Sequence, residues 1–384
     1  MTSLEQTHTY KEIAQQPKLW RKTYNRIKEQ KQEIQSFLKQ YTTSNKSRVL
    51  LSGAGSSAYI GESVAPTLNH ECSLSFDAHH TTDIVTHPNY FFDYDSPDVV
   101  VSYARSGNSP ESVATFDLAN QLTNDVGHVI FTCNPDGKLA KEAENRDNVL
   151  LILMPEEAND KSLAMTSSFS TMTLASLLVF DIDHIERYER LIDQVASQGE
   201  AALSLNIYQQ LIDQKFTNVI YLASYPLMGI TKEASLKMLE LSDGNIKTLA
   251  DSPLGFRHGP KSAINNHSLV IAFLSPDEYV KWYEQDLLNE LAADGQSTLA
   301  VLSPYTDSKV KHSSDFIHKI ENNMDESSSV LLMFPYLIFA QQLAMYTADY
   351  LNINPDNPSP EGQINRVVKG VTIYPYYSKG DSYE

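Results

Sequence analysis

The 384-residue chain has little cysteine, no long apolar run and no surplus of basic residues. Its two cysteines, Cys72 and Cys133, are far apart and fit neither a zinc nor a redox spacing. No apolar run approaches the ~18 residues of a membrane-spanning helix, and the polar N-terminus lacks the apolar centre of a signal peptide. These absences predict a cytoplasmic protein without disulfides, a bound metal or a membrane partner.

The charge balance argues against nucleic acid as a partner. Asp and Glu number 48 against 30 Lys and Arg, which gives a formal net charge of −18. Proteins that bind nucleic acid usually carry a basic stripe, and residues 1–45 contain no basic helix-turn-helix segment. If the ligand is an anion, helix N-termini and a few local cations must overcome the field of the whole chain.

The length predicts two domains. The chain exceeds the about 100–200 residues of one typical core, and its hydrophobic content of 41% supports a large interior. Apolar residues recur at helical spacing through residues 10–40. We therefore expect an N-terminal helical segment at 1–45, a first domain at 46–205 and a second domain at 206–384.

Short apolar runs that do not alternate with polar residues are followed by helical patterns along most of the chain. This arrangement is typical of parallel strands that helices cover on both faces, so the expected fold class is α/β. The candidate strands are Arg48–Ser52, Val99–Tyr103, His128–Thr132, Asn148–Leu153, Asn218–Ala223, Leu269–Leu274 and Thr298–Leu302.

Matched spacing favours an internal repeat. One apolar run begins at Val49 and another at Val219, and the next strong strand begins 50 residues later in each half, at Val99 and Leu269. The spacing favours two similar α/β units. Two unrelated α/β domains remain the alternative.

A loop rich in hydroxyl groups follows the candidate strand at Val99–Tyr103. Ser109 is a suitable N-cap and Pro110 a suitable first helical residue, while Gly107 allows a sharp turn. Ser106 and Ser109, together with free backbone N–H groups, would form a compact anion cradle. The alternative is that these are only turn and cap residues.

Two further hydroxyl clusters occur in the first half. Ser56 and Ser57 close a Gly-Ala-Gly-Ser-Ser loop that is neither a Walker loop nor a full dinucleotide fingerprint. Thr166 and Ser167 precede an apolar helix that we expect to begin near Thr171. Three such clusters suggest a polyhydroxylated, phosphorylated ligand, because hydroxyls suit both sugar and phosphate oxygens.

The second half is richer in ionisable groups. Glu233, Lys237 and Glu240 share a helical face, a pattern that usually marks solvent-exposed salt bridges. A Gly/Pro-rich loop at 250–262 presents His258 between Arg257 and Lys261. Near the C-terminus stands Lys369, which by default would be an exposed lysine.

In their order along the chain, these motifs resemble the sugar isomerase (SIS) domain family. The resemblance covers roughly residues 45–375 and extends to a tandem pair of such domains, most closely those of the galactosamine-6-phosphate deaminase/isomerase branch. It implies two three-layer α/β domains with parallel sheets flanked by helices, plus the N-terminal helical segment. No stretch looks like the glutaminase domain of glucosamine-6-phosphate synthase.

The resemblance also implies roles for individual residues. Glu240 would be the enolisation base, Lys237 its neighbouring lysine and His258 the ring-opening group, reaching the site from another subunit, with Lys369 as the C-terminal lysine. The residues expected to hold the phosphate are Ser56, Ser57, Arg105, Ser106 and Ser109, to which the third hydroxyl cluster adds Thr166 and Ser167. Arg105 stands where the synthase has glutamine.

These roles predict an enzyme that converts D-galactosamine 6-phosphate into D-tagatose 6-phosphate and ammonia, without a metal or redox cofactor. The chain has no evident ammonia source, which favours release over synthesis. Three alternatives remain: a tagatose-6-phosphate ketose/aldose isomerase without deamination, a glucosamine-6-phosphate deaminase, and a non-catalytic sugar-phosphate-binding regulator. The resemblance further implies a homodimer or a higher homo-oligomer.

Overall fold

The computed structural model describes residues 3–44, 46–305, 310–311, 314–320, 326–368 and 370–377. Lys369, the predicted C-terminal lysine, therefore lies outside the described residues, and its role stays a prediction.

The N-terminal segment is helical, as predicted, but it forms three helices rather than one. They are α1 (His8–Ala14), α2 (Gln16–Glu29) and α3 (Lys31–Tyr41). Pro17 lies in the first turn of α2, where the backbone N–H that it lacks would have no partner within the helix. In the interior of one continuous helix, the same proline would remove a hydrogen bond and break the helix. The fully buried Trp20 attaches α2 to the rest of the molecule by donating from Nε1 to Ser170 Oγ at 2.9 Å.

The first sheet has five parallel strands in the order β2-β1-β3-β4-β5. Its strands are β1 (Arg48–Gly53), β2 (Ser75–His80), β3 (Val99–Ala104), β4 (Gly127–Thr132) and β5 (Val149–Leu153). The helices between these strands are α4 (Ser56–Glu71), α5 (Thr81–Thr86), α6 (Pro110–Leu122) and α7 (Lys138–Glu142).

The second sheet repeats the strand order of the first, with β7-β6-β8-β9-β10 all parallel. Its strands are β6 (Asn218–Ala223), β7 (Lys247–Asp251), β8 (Ser268–Phe273), β9 (Ser297–Ser303) and β10 (Phe316–Lys319). The remaining helices are α8 (Ser167–Phe180), α9 (Tyr188–Leu203), α10 (Tyr208–Ile212), α11 (Met228–Leu241), α12 (Pro253–Phe256), α13 (Glu278–Asp294) and α14 (Met333–Tyr350).

The residues that suggested a repeat are partners in the two sheets. Val49 pairs with Val99 across β1 and β3, and Val219 pairs with Leu269 across β6 and β8. The shared strand order favours the repeat, and the α/β architecture with flanking helices is as predicted. The domain bounds at residues 45 and 205 stay predictions.

One hydrophobic core lies between the two sheets. Leu51 of β1 and Tyr221 of β6 both point into it, whereas their neighbours Leu50 and Ile220 face separate outer cores. The apolar helix α14 fills its centre; by length and composition this helix could cross a membrane, but 94% of its apolar window is buried inside the molecule. The helices α4 and α11 pack against each other in this middle layer, which brings residues of the two halves together.

Candidate active site

The loop after β1 brings Ser56 and Ser57 to the carboxyl edge of the first sheet. A Cβ at Gly53 would lie 2.4 Å from the backbone of Ser57, so the tight turn requires glycine there. Both serines are buried in the first turn of α4. Ligands of parallel sheets bind beyond this edge, which is where the sequence predicted the site.

The loop after β3 ends at the same edge. Ser109 and Pro110 begin α6 as predicted, and Gly107 has the positive φ of 65° that the sharp turn needs. The Ser109 hydroxyl does not cap the helix; it donates to Ser112 Oγ at 2.7 Å. Ser106 Oγ accepts from the Asn108 backbone N–H at 3.3 Å. The two serines therefore sit beside the N-terminus of α6, where an anion is favoured.

Helix α11 carries Lys237 from the second half to the loop after β1. The fully buried Lys237 Nζ donates to Ser56 Oγ at 2.9 Å and to Glu240 Oε2 at 2.5 Å. The Glu240 side chain keeps 21% of its surface exposed. The solvent-exposed interpretation of this helical face is thus wrong, because α11 packs between the two sheets and buries Lys237.

Glu233 completes the buried group, and its part was not foreseen from the sequence. Its side chain is fully buried, and Oε1 lies 3.4 Å from Lys237 Nζ. Burial raises the pKa of Glu233 to about 7, although Lys237 opposes the shift. Burial alone would lower the pKa of Lys237, but Glu233 and Glu240 outweigh it and raise that pKa. Lys237 therefore stays charged between two carboxylates.

The third hydroxyl cluster holds an internal anion. The fully buried Asp160 carboxylate accepts from the backbone N–H groups of Thr166, Ser167 and Ser168 at 2.8, 3.0 and 2.9 Å. The Thr166 hydroxyl also donates to Asp160, at 3.0 Å, and the Ser167 hydroxyl donates to the Glu12 carbonyl at 2.6 Å. Since these donors are already used, we leave Thr166 and Ser167 out of the proposed phosphate site.

Arg105 directs its guanidinium to backbone carbonyls. Nη1 donates to the Leu163 carbonyl at 3.1 Å, and Nη2 donates to the Arg366 carbonyl at 2.9 Å. Burial lowers the pKa of Arg105. The phosphate role that the sequence suggested for this residue has no support from these contacts.

His258 is exposed, and its side chain has no hydrogen-bond or ion-pair partner among the described residues. Its loop packs against α13, where Arg257 pairs with Glu290 at 2.9 Å and Lys261 pairs with the same carboxylate. Hydrogen bonds therefore join Ser56, Lys237 and Glu240, and among the described residues none of them extends to His258.

Metal-binding groups are absent from the part of the chain that the structure describes, where no three His, Cys, Asp or Glu side chains gather around a common point. Both cysteines are free, and burial raises their pKa, to about 11 for Cys72. These thiols therefore remain protonated near neutral pH.

Comparisons with known proteins find both a matching family model and relatives over nearly the whole chain. The SIS domain family model matches residues 43–181. D-galactosamine-6-phosphate deaminase AgaS of Shewanella sp. (strain ANA-3) is 38% identical over 373 residues, which cover 96% of this chain and 92% of that protein. The protein of the same name from Escherichia coli O157:H7 is 37% identical over 377 residues, 96% of each chain.

Two solved structures resemble the whole chain. Tagatose-6-phosphate ketose/aldose isomerase from Escherichia coli is 33% identical with a TM-score of 0.88, and the match covers 98% of both chains. A protein of Clostridium novyi NT, provisionally described as the same isomerase, is 44% identical with a TM-score of 0.93 over 96% of this chain and 95% of that one. The similarity thus extends over both sheets.

Proposed function

Because the chain belongs to the SIS-domain family, we propose that it is an enzyme that converts D-galactosamine 6-phosphate and water into D-tagatose 6-phosphate and ammonia. The observation that carries this proposal is the contact of Ser56 with Lys237 and, through it, with Glu240. It joins a loop suited to a sugar phosphate to a carboxylate suited to proton transfer.

The phosphate end of the substrate would lie against the loops that follow β1 and β3. Ser106, Ser109 and Ser57 supply hydroxyls, and the N-termini of α4 and α6 supply backbone N–H groups and a favourable dipole. Anchoring the phosphate fixes the distance from the reacting carbons to the base, so that proton transfer takes place between groups that are already correctly placed.

Proton transfer would be the task of Glu240. Its carboxylate takes the proton from C2 of the open-chain aldose and returns it to C1, while a proton of the C2 amine passes to the oxygen at C1. The result is a hydroxymethyl group at C1 and an imine at C2. The Lys237 ammonium, held charged by two carboxylates, stabilises the negative charge that develops on the oxygen at C1. Water then adds to the imine, and ammonia leaves as the ketose forms.

Ring opening would fall to His258, supplied by a second copy of the chain. An imidazole can both donate and accept a proton near neutral pH. Because His258 is exposed and has no partner among the described residues of its own chain, we assign this role to a homodimer or a higher homo-oligomer. The proposed setting is the cytoplasm.

The test is to measure both products from galactosamine 6-phosphate. One ammonia should appear for each tagatose 6-phosphate, and the C2 proton should exchange with solvent. Glucosamine 6-phosphate, which differs at C4, serves as the matched substrate and should react more slowly. If glucosamine 6-phosphate is preferred, the galacto assignment is wrong while the deaminase assignment remains.

The second candidate is a ketose/aldose isomerase without deamination, the activity for which the two solved relatives are named. It requires the same base and phosphate site but no imine hydrolysis. Interconversion of galactose 6-phosphate and tagatose 6-phosphate, with no ammonia from the amino sugar, would favour it. Binding of either sugar phosphate without any turnover would instead indicate a regulator.

A further inference from the structure

The C-terminal strap, which we define as residues 356–368 and 370–377, runs from the start of α1 past the loop after β3 to the last turn of α6. At one end the Asp356 carboxylate accepts from the backbone N–H groups of His8 and Thr9 at 2.9 and 2.7 Å, at the start of α1. At the other end the Tyr376 carbonyl accepts from Gln121 Nε2 of α6 at 3.1 Å. Between these ends, two arginines fasten the strap.

The first arginine is Arg105, which follows the last residue of β3. It is only 6% exposed. Its Nη1 donates to the carbonyls of Ser162 and Leu163, at 3.4 and 3.1 Å, and its Nη2 donates to the Arg366 carbonyl at 2.9 Å. One guanidinium thus joins the loop after β3, the loop before α8 and the strap.

The second arginine is Arg366 in the strap itself. Its Nε and Nη2 donate to the Asp160 carbonyl at 2.9 and 2.5 Å, and Nη2 also donates to Asn159 Oδ1 at 2.8 Å. Asp160 is the residue whose carboxylate caps α8. The strap is therefore tied to a loop that is itself held rigidly.

We infer that Arg105 and Arg366 form a clamp that holds the C-terminal strap against the loop after β3, which carries the proposed phosphate ligands, and that Arg105 acts as a positioning residue rather than a phosphate ligand. A phosphate ligand needs donors that face an open space. Both Nη atoms of Arg105 instead donate to protein carbonyls, which satisfies a buried cation with neutral partners. The planar guanidinium of arginine presents its donors in a fixed geometry, which suits it to hold two segments at once.

The experiment compares Arg366→Ala with Arg105→Gln. The exposed Arg21, which pairs with Asp193 and Glu200 far from this edge, gives the control Arg21→Ala. Hydrogen exchange of peptides that cover the strap reports the clamp without depending on activity. We expect both clamp variants to speed that exchange about tenfold or more, the size expected for one or two charge-assisted hydrogen bonds. The control should leave it unchanged.

Non-additivity distinguishes a clamp from two separate contacts. The strap of the double variant should exchange no more than about twofold faster than that of the faster single variant, because the loss of either arginine already releases the same segment. If Arg366→Ala leaves the strap protected, the clamp is wrong. Arg366→Ala removes a partly exposed side chain and tests the inference even if Arg105→Gln fails to fold.

Inhibition by inorganic phosphate separates the clamp from a direct phosphate contact. A clamp predicts that Arg105→Gln and Arg366→Ala weaken phosphate inhibition to a similar extent, with KM for the sugar phosphate rising more than kcat falls. Weakening in Arg105→Gln alone, with the strap still protected, would show that Arg105 binds phosphate directly. The phosphate inhibition and the KM and kcat comparison both rest on the proposed function, whereas the hydrogen-exchange result would stand without the deaminase assignment.

Discussion

Burial decides what the face formed by Glu233, Lys237 and Glu240 does. The same residue types at the same spacing on an exposed helix would contribute only a few tenths of a kcal/mol. Here a fully buried ammonium lies between two carboxylates and a serine hydroxyl. Such an arrangement is costly to desolvate, and it persists where the charges are needed for chemistry.

At the residue scale, Glu240→Gln tests the base. The amide keeps the shape and a polar contact with Lys237 but cannot take the C2 proton, so kcat should fall by about 10²–10⁴-fold. KM should change little, because the phosphate loops lie in the other half of the chain. Ammonia release and exchange of the C2 proton into deuterated water measure the effect. Glu142→Gln, which alters a surface pair with Arg146, is the matched control; wild-type proton exchange in Glu240→Gln would rule Glu240 out as the base.

The buried Glu233 gives a prediction about pH dependence. Ionised Glu233 raises the pKa of Lys237, so Glu233→Gln should lower that pKa. Loss of the Lys237 proton would then begin at lower pH, and the alkaline limb of the kcat profile should move to lower pH. The measurement is kcat against pH for both proteins. An unchanged alkaline limb would mean that Glu233 has no influence on the charged state of Lys237.

At the element scale, the hydroxyl-rich helix starts look alike in sequence but differ in which group accepts from their first backbone N–H groups. The start of α8 is capped by Asp160, whose carboxylate accepts from three backbone N–H groups and two hydroxyls. Among the described residues, no side-chain carboxylate is seen to accept from the first N–H groups of α4 or α6, and their N-cap residues make no side-chain cap. Sequence spacing places all three clusters near strand ends, but it does not reveal which of them the chain fills with its own carboxylate.

The cap on α8 carries a stability prediction. Asp160→Asn keeps the size of the side chain but turns one acceptor into a donor that faces buried N–H groups. Loss of a cap together with unsatisfied buried donors should lower the free energy of unfolding by about 2–4 kcal/mol. Urea unfolding measures it. A change below about 0.5 kcal/mol would show that the cap contributes little.

In the second sheet, acidic side chains accept from the backbone N–H groups at the position that corresponds to the proposed phosphate loop. The loop that follows β8 matches the loop that follows β3, and there the Ser275 N–H donates to Glu284 Oε2 at 3.0 Å. The Asp277 carboxylate caps α13 through the N–H groups of Tyr279 and Val280 at 2.8 and 2.9 Å. An anionic ligand would meet the Asp277 carboxylate and a helix start whose first N–H groups are already used, so we place the proposed phosphate site at the first sheet.

Glu284 also predicts a pH-dependent loss of stability. Burial raises the pKa of this 1% exposed carboxyl from 4.5 to about 7, so the folded protein holds a proton that the unfolded chain has already released. This contribution lowers stability as pH rises from 4.5 to about 7 and then levels off. Glu284→Gln cannot ionise, so its free energy of unfolding should fall less than that of the wild type between pH 5 and pH 8. Parallel pH dependence in the two proteins would contradict the assignment.

All six central strands and one edge strand, β5, were predictable from the sequence, whereas the other three edge strands were not. All seven candidate strands are present, because runs such as Val99–Ala104 are apolar on both faces. The missed strands β2, β7 and β10 lie at sheet edges, where sequences such as Ser75–His80 are polar and half-exposed. Helix α8 begins at Ser167 rather than near Thr171, since a buried carboxylate and not a local pattern sets its start.

At the scale of the whole molecule, the site depends on how the two halves pack. Ser56 and Lys237 were both singled out from the sequence, but their contact was not predictable, because it arises only when α4 and α11 meet in the shared core. Glu233 was taken for an exposed residue for the same reason. Local periodicity shows which residues share a helical face, whereas tertiary packing decides whether that face meets water.

A subunit-mixing experiment tests the proposed role of His258. Glu240→Gln and His258→Ala should each be inactive alone. If His258 acts on a neighbouring subunit in a dimer, random mixing of the two variants rebuilds one intact site in each mixed dimer, so roughly a quarter of the wild-type activity should return. No recovery, despite exchange of subunits shown by mass, would place His258 in its own chain or outside the reaction.

The hydrogen bond from Lys237 to Ser56 joins positions 181 residues apart in the chain. A ribosome has already made the proposed phosphate loops when it begins the second sheet, and it adds the strap after both sheets. A prematurely terminated product that ends after the first sheet would therefore contain the proposed phosphate loops but neither the proposed base nor its lysine. We expect such a fragment to be inactive, because the proposed site is complete only when the two halves have docked.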